Sequence, residues 1–287
     1  MSNLGNSNNL KFLQFMSILS KDTIITEILP HLTHGSKGRK LSQNKRVIIV
    51  QLILYRLKTG CQWRELPIKQ FSSKPYSWQS VFHHFNQWSK NGCWQKVWEN
   101  VMRSNKHCLD MSSTQIDGTH TPVKRGGEAV GYQGRKSSKT TNSLCISDAN
   151  GVLLAASQPE AGNHHDLYEI QKHFQEMTEM LDNVNINQAG IFLNADAGFD
   201  SQELRDLCFQ KDISPNFCLN SRNGKVTERD VHFDEQLYKK RQVIEHSFAW
   251  LDAFKALLVR FEKLARNWFS LMMIGFLVIF NRKITPN

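Results

Sequence analysis

The spacing of hydrophobic residues predicts that the N-terminal third of the chain is helical. Apolar residues in 45–67 recur as on a long buried helix, which we expect to end at Gly60. Residues 76–102 show the same period, interrupted at Asn91-Gly92, so we expect two helices there. These patterns predict a small all-helical domain over residues 21–109.

From Asp110 onward the pattern changes to short strands separated by helices. In chain order it predicts three strands, a helix, a strand, a helix, a strand and further helices: 113–124, 140–162 (two strands), 166–181, 189–199, 201–212, 213–220 and the segment from 238 onward. This order is typical of a ribonuclease-H-like fold, a mixed sheet with helices on its faces. We therefore predict an α/β (α+β) domain over residues 110–287 and a flexible tail over residues 1–20.

The segment YKKRQVIEHSFAWLDAF, residues 238–254, has the pattern of an amphipathic helix. Its apolar residues follow i, i+4, i+7 spacing. Four polar or aromatic residues fall on a different face of this helix: Tyr238, Arg241, Glu245 and Asp252. This stripe is either the solvated side of the helix or part of a chemical site.

The positive charge of the chain is concentrated in its N-terminal part. The 287 residues carry a net charge of +10, but residues 1–110 hold 16 of the 36 Lys and Arg and only 5 of the 26 Asp and Glu, a balance of +11. A basic segment beside a near-neutral domain indicates a polyanionic partner, most often nucleic acid. A solvated lysine-rich surface is the alternative, and charge alone does not decide between them.

The cysteines and the apolar runs favour a cytoplasmic protein that does not span a membrane. Six cysteines occur without a CxxC pair or a metal-site spacing, which fits a reducing compartment. The N-terminus lacks an apolar core of signal-peptide length. The most hydrophobic run, residues 268–280, is shorter than the roughly 20 residues that a membrane span requires. We expect this run to form a buried helix.

Three carboxylates stand at positions where a site is expected. Asp117 lies in the first predicted strand, Asp196 lies at the C-terminal end of the fourth, and Glu245 lies on the helix over 238–254. Strand ends of an open sheet are common places for sites, and a late helix packed across the sheet would bring the three together. Taken singly, Asp196 is explained as a turn residue and Glu245 as a solvated helix residue. Together they fit two Mg²⁺ or Mn²⁺ ions, which prefer carboxylate ligands and promote in-line displacement at phosphorus.

Several sequence blocks resemble the DDE transposases of bacterial insertion sequences, close to the insertion-sequence-five branch. The blocks are DGTHTPVK, GRKSSKTTN, SDANGVLLAASQPEAGNHHDL, NADAGFDSQELR and YKKRQVIEHSFAWLDAFKALLVRFEK, with GCQWRELPIKQF and VFHHFNQW before them. The resemblance implies that Asp117, Asp196 and Glu245 are the metal ligands of a ribonuclease-H-like catalytic domain. It also implies binding to the terminal inverted repeats of an element, two-metal hydrolysis, strand transfer into target DNA, and action as a homodimer or larger homo-oligomer associated with the bacterial nucleoid.

The sequence departs from the family pattern at one position. The pattern Tyr-(2)-Arg-(3)-Glu is present as Tyr238, Arg241 and Glu245, but the family continues to a lysine where this chain has Asp252. A lysine would neutralise phosphate near the cleavage site, which an aspartate does not do. This substitution indicates either a subgroup that dispenses with the lysine or altered activity.

Basic and aromatic residues around these motifs are candidates for DNA contact. Tyr238 and Arg241 lie two turns and one turn before Glu245, and Arg241 is also spaced to orient Glu245 as an i, i+4 pair. The Gly-rich loop 124–139 does not match a nucleotide-binding loop, so we predict that it contacts the DNA backbone. The candidates in that loop and in the helical region are Lys124, Arg125, Arg135, Lys136, Lys139, Lys45 and Arg46.

The sequence NHHD, residues 163–166, has two interpretations. Asn163 and Asp166 are expected to cap the helix over 166–181, and His165 or Asp166 is placed to approach the site, because this loop follows the third strand. A histidine-containing metal site is the less favoured interpretation.

Three functions remain in competition. The favoured function is a DNA transposase. It binds the terminal inverted repeats of its element in double-stranded DNA, cuts the element ends and joins them to target DNA. A decayed or repurposed transposase that only binds DNA, and a ribonuclease-H-like nuclease that cuts without joining, are the alternatives.

Overall fold

A computed structural model describes residues 18–33, 41–72, 76–224 and 231–284, so most of the predicted tail over residues 1–20 lies outside the described residues. The helices are α1 (Lys21–Thr23), α2 (Gln43–Thr59), α3 (Ile68–Phe71), α4 (Trp78–Lys90), α5 (Cys93–Ser104), α6 (Ile170–Asn183), α7 (Gln202–Phe209), α8 (Glu235–Tyr238), α9 (Gln242–Asp252), α10 (Lys255–Leu258) and α11 (Ala265–Ile284). The strands are β1 (Ser113–Pro122), β2 (Gly131–Gln133), β3 (Ser138–Ser147), β4 (Leu153–Ala156), β5 (Glu160–Ala161), β6 (Phe192–Ala195) and β7 (Ser214–Phe217).

Glycines in the left-handed conformation end and separate the N-terminal helices as predicted. Gly60 follows α2 with φ of +67° and donates its N–H to the carbonyl of Arg56, which closes the helix. Gly92 separates α4 from α5 with φ of +65°. A side chain at either position would strain the backbone, so these two glycines set where the helices stop.

The sheet confirms the predicted ribonuclease-H-like fold. Strand β1 pairs antiparallel with β3 and parallel with β6, and β6 pairs parallel with β7. Strand β4 extends the antiparallel side by pairing with β3, while β2 and β5 also pair with β3. The main strand order is therefore β4-β3-β1-β6-β7, three antiparallel strands followed by two parallel ones. This topology places the C-terminal end of β6 beside the middle of β1.

Helices cover the sheet and connect it to the N-terminal helices. α6 packs on β4 and β3, and α9 packs on β1. α11 contains the apolar run 268–280, is buried over most of its length, and packs against α5 and α4. No helix among the described residues is long and apolar enough to cross a membrane.

One hydrophobic cluster extends from the N-terminal helices into the sheet. Trp98 on α5 is fully buried, donates its indole N–H to the carbonyl of Leu154 on β4 at 2.8 Å, and meets Phe276 and Phe280 of α11 edge to face. The predicted boundary at residue 110 and the independence of the helical domain stay predictions.

Two predicted helices differ from those in the structure. The helix after NHHD begins at Ile170, because Asp166 accepts a hydrogen bond from the Asn142 amide at 2.8 Å instead of capping the helix. The predicted helix over 238–254 is divided: α8 leads through a 3₁₀ turn at Lys239–Arg241 into α9, and a separate helix begins at Lys255.

Replacing Trp98 tests how strongly the N-terminal helices depend on the sheet. Trp98→Ala removes a buried ring and a buried hydrogen bond, and we expect it to lower the free energy of unfolding by about 3–5 kcal/mol. Trp250 is 42% exposed, so Trp250→Ala, the matched control, should lower it by less than about 1 kcal/mol. Urea denaturation measures both, and equal losses would contradict a shared core.

Candidate active site

Asp117 lies in the middle of β1 and is held by two donors. Its side chain is 20% exposed. One carboxylate oxygen accepts the N–H of Gly118 at 2.8 Å, and the other accepts Nη1 of Arg241 at 3.0 Å. The carboxylate is therefore fixed in orientation and paired with one cation.

Asp196 is brought beside Asp117 by the register of two parallel strands. Gln115 on β1 pairs with Asn194 on β6, and each aspartate stands two residues beyond this pair. Since side chains alternate along strands, both aspartates leave on the same face of the sheet. Asp196 also accepts the N–H of Gly198 at 2.8 Å and so caps a short 3₁₀ turn.

Glu245 reaches the two aspartates through Arg241. Arg241 donates from Nη2 to Glu245 at 3.2 Å while Nη1 holds Asp117, and the ring of Tyr238 lies 5.9 Å from its guanidinium carbon. Glu245 remains 58% exposed. Arg241 therefore connects the polar face of the 238–254 segment to the central strand β1. That Asp117, Asp196 and Glu245 bind metal ions stays a prediction.

The pKa of Asp117 is raised mainly because its carboxylate is buried. Burial raises this pKa to about 6, the nearby charge of Asp196 adds to the rise, and the Gly118 N–H and Arg241 oppose it. Burial alone would lower the pKa of Arg241, but the charges of Asp117, Tyr238, Asp196 and Glu245 raise it overall. The buried Asp117 carboxylate therefore depends on Arg241 for compensating charge.

A ladder of buried amides lies behind the two aspartates and was not predicted from the sequence. The Asn194 amide donates to Gln115 at 2.7 Å, and the Asn216 amide donates to Asn194 at 2.7 Å. The three side chains lie in register on β1, β6 and β7, and each is buried. Polar residues inside otherwise apolar strands, two positions before each aspartate, were the available signal.

The amide ladder also positions the helix that carries Arg241. Asn216 accepts the N–H of Asp234 at 2.7 Å and donates to its carbonyl at 2.9 Å. The Asp234 carboxylate in turn caps α8 by accepting the N–H of Leu237 at 2.9 Å. The sheet thus fixes the start of the helical segment, and Tyr238 and Arg241 follow within two turns.

Lys136 lies near the position where the family lysine is replaced. It comes from the turn between β2 and β3 and donates to the carbonyl of His120, three residues after Asp117, at 2.9 Å. Burial raises the pKa of Asp252, and the charges of Lys136 and Lys255 partly offset this rise. Lys136 therefore brings positive charge to the side of the site where Asp252 stands.

The other predicted DNA-binding residues lie in two places. Lys124, Arg125, Arg135 and Lys139 are exposed around the β2–β3 hairpin, and Lys45 is exposed with its ammonium 5.7 Å from the ring centre of Tyr76. Arg46 instead donates to the carbonyls of Leu29 and Leu32. The Arg46 guanidinium thus joins α2 to the preceding turn. For all of these basic candidates, contact with DNA stays a prediction.

Asp166 approaches β1 from the face opposite Asp117. A Cβ at Gly118 would collide with the Asp166 carboxylate, and Gly118 points away from Asp117 because side chains alternate. Asp166 also lies 3.8 Å from Nε2 of His120. Asp166 therefore approaches β1 as expected. It packs against Gly118 and His120 on the opposite face of the strand and does not join the carboxylates of Asp117, Asp196 and Glu245.

Another group of potential metal ligands occurs elsewhere in the described part of the chain. Glu160, Glu169 and His173 have ligand atoms within 4.8 Å of one another. Lys172 already pairs with Glu169 at 2.9 Å and Glu160 at 3.9 Å, so a lysine offsets this acidic group.

The strand topology defines a ribonuclease-H-like fold, in which Arg241 links the carboxylates of Asp117 and Glu245 beside the end of β6. Residues 109–280 match the family described as a transposase DDE domain. This match covers more than half of the chain, and the chain belongs to that family. Residues 23–98 match a model described as a putative transposase of IS4/5 family, which confirms the resemblance seen in the sequence.

Solved structures of transposases show distant similarity. A piggyBac transposase synaptic complex with hairpin DNA is 11% identical, with 95% of this chain and 75% of that chain covered and a TM-score of 0.48. A Mos1 transposase paired-end complex with the left transposon end is 11% identical, with 86% and 79% covered and a TM-score of 0.29. A Mos1 mariner paired-end complex with Mn is also 11% identical, with the same coverage and TM-score. No curated protein matches the sequence.

The raised pKa of Asp117 predicts how stability depends on pH. A carboxyl with a pKa of about 6 in the folded state and 3.8 otherwise stabilises the fold through its bound proton at low pH, and this contribution is lost as pH rises to 6. Metal-free Asp117→Asn should therefore gain about 3 kcal/mol relative to the wild type between pH 4 and pH 7. Urea denaturation across this range measures the difference.

The matched control is Asp206→Asn, the same substitution at an exposed position of α7. An equal pH dependence in both variants would show that the site is not responsible.

Proposed function

We propose that this protein is a DNA transposase that cuts the phosphodiester bond at the ends of its element and joins the freed 3′-hydroxyl to target DNA. One observation carries this proposal. Arg241 holds Asp117 at 3.0 Å and Glu245 at 3.2 Å, so one guanidinium joins a strand carboxylate to a helix carboxylate, and the charge of Asp196 acts on both Asp117 and Arg241. The family match supports the same reaction class.

The carboxylates fit two divalent cations of the Mg²⁺ or Mn²⁺ type. Asp117, Asp196 and Glu245 offer hard oxygen ligands of the kind that these ions prefer. Burial raises the pKa of Asp117, and a bound cation would offset the cost of keeping this buried carboxylate charged. When bound, the ions supply an activated oxygen nucleophile and stabilise the leaving oxygen at phosphorus.

The remaining side chains orient the reactants. Arg241 keeps the Asp117 and Glu245 carboxylates turned toward each other and offers a guanidinium to a non-bridging phosphate oxygen. Tyr238, against Arg241, has a pKa raised by burial, so its phenol stays protonated and donates a hydrogen bond to DNA.

The DNA backbone runs along the basic hairpin in this proposal. Lys124, Arg125, Arg135 and Lys139 project from the hairpin, which extends β3 beyond the site. Lys136 stands closest to Asp117 of the lysines there, through its bond to the His120 carbonyl. The protein acts as a dimer or larger homo-oligomer on paired terminal inverted repeats, in the bacterial cytoplasm at the nucleoid.

Strand cleavage and strand transfer test the proposal directly. Duplex DNA carrying the element ends is incubated with protein, Mg²⁺ and a target plasmid. Removing a charge that stabilises the transition state costs about 10²–10³ in rate, so Asp117→Asn, Asp196→Asn and Glu245→Gln should each lose at least that factor in both steps. Glu235→Gln, at an exposed position of α8, is the matched control and should stay within about two-fold.

The same assay separates the alternatives. Nicking without joining would assign the protein to nucleases of this fold. Binding without nicking would identify a DNA-binding protein derived from a transposase. Either result overturns the proposal.

We predict that Lys136 supplies the positive charge that the family lysine would provide at position 252. Lys136→Ala should lower the cleavage rate about ten-fold and reduce the salt dependence of DNA binding by about one phosphate contact, because it removes the lysine whose charge acts on Asp252. Lys139→Ala, three residues along the same hairpin, should change the rate less than about three-fold.

The double variant Lys136→Ala/Asp252→Lys provides the decisive comparison. A lysine restored at position 252 should recover most of the lost rate. If it does not, the charge of Lys136 acts only on binding.

A further inference from the structure

A groove of about 800 Å³ lies away from the carboxylates, between the N-terminal helices and the segment that follows α10. Its walls come from the end of α2, the turn around Trp63, the first turns of α4, and residues 261–264. Arg125 of the basic hairpin also lines it. The volume falls within the ~300–1,000 Å³ range of ligand-binding pockets.

The walls of the groove are aromatic and partly open to solvent. Trp63 packs against Phe82 with ring centres 5.3 Å apart. Trp78 and Phe261, which stand at the opening, are 36% and 44% exposed. Exposed aromatic side chains that cluster on one surface mark a binding site more often than exposed rings that stand singly. Here the exposed rings line the same concave surface.

The floor of the groove is a buried arginine with unused donors. Arg56 is 3% exposed, and its Nη2 donates to Glu262 at 3.0 Å. Trp63 donates its indole N–H to the same carboxylate at 3.0 Å and lies 5.3 Å from the Arg56 guanidinium. The Nε and Nη1 atoms of Arg56 have no hydrogen-bond partner among the described residues. Buried guanidinium donors without a partner indicate an acceptor that is supplied from outside.

The rim of the groove is positive and its outer wall is fixed. Arg64, Arg125 and Lys263 are exposed there. Arg260 is fully buried and donates to the carbonyls of Glu262 and Glu128 at 2.9 and 2.8 Å, which ties the wall to the hairpin. The groove is therefore formed before any ligand binds.

We propose that this groove binds an unpaired nucleotide of a DNA strand held by the protein, a subsite that deepens the proposed function and rests on it. A planar base stacks against the exposed rings of Trp78 and Phe261, and its polar edge accepts hydrogen bonds from Arg56. The adjoining phosphates pair with Arg64, Arg125 and Lys263. Base stacking combined with a positive rim is the chemistry of single-strand binding.

The groove is a separate subsite from the cleavage site. Val123, at the end of β1, bridges to Arg260, six residues beyond Asp117. Six residues of strand span about 20 Å, which corresponds to about six nucleotides along one strand. The bound base therefore lies several positions from the phosphate that is cut.

Single-strand binding by pocket variants tests this proposal. The probe is labelled oligothymidine of about 20 nucleotides, compared with a duplex of the same length, and fluorescence anisotropy is measured with the full chain. Trp78→Ala and Phe261→Ala should each weaken single-strand binding about 5- to 100-fold and leave duplex binding within about two-fold. Arg56→Met should also weaken single-strand binding, because it removes the donors on the floor.

The matched controls are Trp250→Ala and Phe209→Ala, exposed aromatic residues outside the groove. These variants should bind both probes as the wild type does. Thermal unfolding of every variant shows whether the fold is kept, and Trp78 and Phe261 are exposed enough to be replaced without loss of folding.

The outcomes separate this proposal from the proposed function. Pocket variants that bind oligothymidine normally overturn the groove assignment, whether or not the wild type cuts and joins DNA. Pocket variants that change only the sedimentation of the protein would show that a second copy of the chain occupies the groove, which also overturns it. Asp117→Asn should lose cleavage and keep single-strand binding. A wild-type protein that binds oligothymidine but neither cuts nor joins DNA would count against the transposase function alone.

Discussion

The guanidinium of Arg241 is the contact on which the site depends. It bridges Asp117 on the central strand and Glu245 on the packed helix at 3.0 and 3.2 Å. Carboxylates crowded in this way repel one another, and burial increases the cost of their charge. The arginine offsets that cost, while Glu245 stays 58% exposed and open to solvent.

The arginine can do this only because the sheet fixes where its helix begins. The ladder from Gln115 through Asn194 to Asn216 runs across three strands and ends on Asp234, which caps α8. Buried amides are costly unless every member finds a partner. The hydrogen bonds that satisfy these amides therefore also fix the position of α8 relative to β1, β6 and β7.

The sequence predicted the fold because strand order depends on local patterns, and the predicted neighbourhood of Asp117 and Asp196 agrees with the strand register. The strand order, Gly60 and Gly92 follow from periodicity and turn chemistry, and two aspartates at neighbouring strand ends follow from topology. The start of α6 and the position of Lys136 depend instead on tertiary contacts. Asp166 bonds Asn142 rather than capping α6, and the approach of Lys136 to the His120 carbonyl depends on how a hairpin folds back, which no local pattern specifies.

The buried Arg260 has a consequence for how this protein can diversify. It secures both ends of the basic hairpin by donating to the carbonyl of Glu128 and, at 2.7 Å, to the hydroxyl of Thr141. The turn between these two points lies at the surface and adds nothing to the core. Most of that turn can therefore change in sequence while the carboxylates keep their positions, and Lys136, which bonds the His120 carbonyl, is the position within it that cannot vary freely.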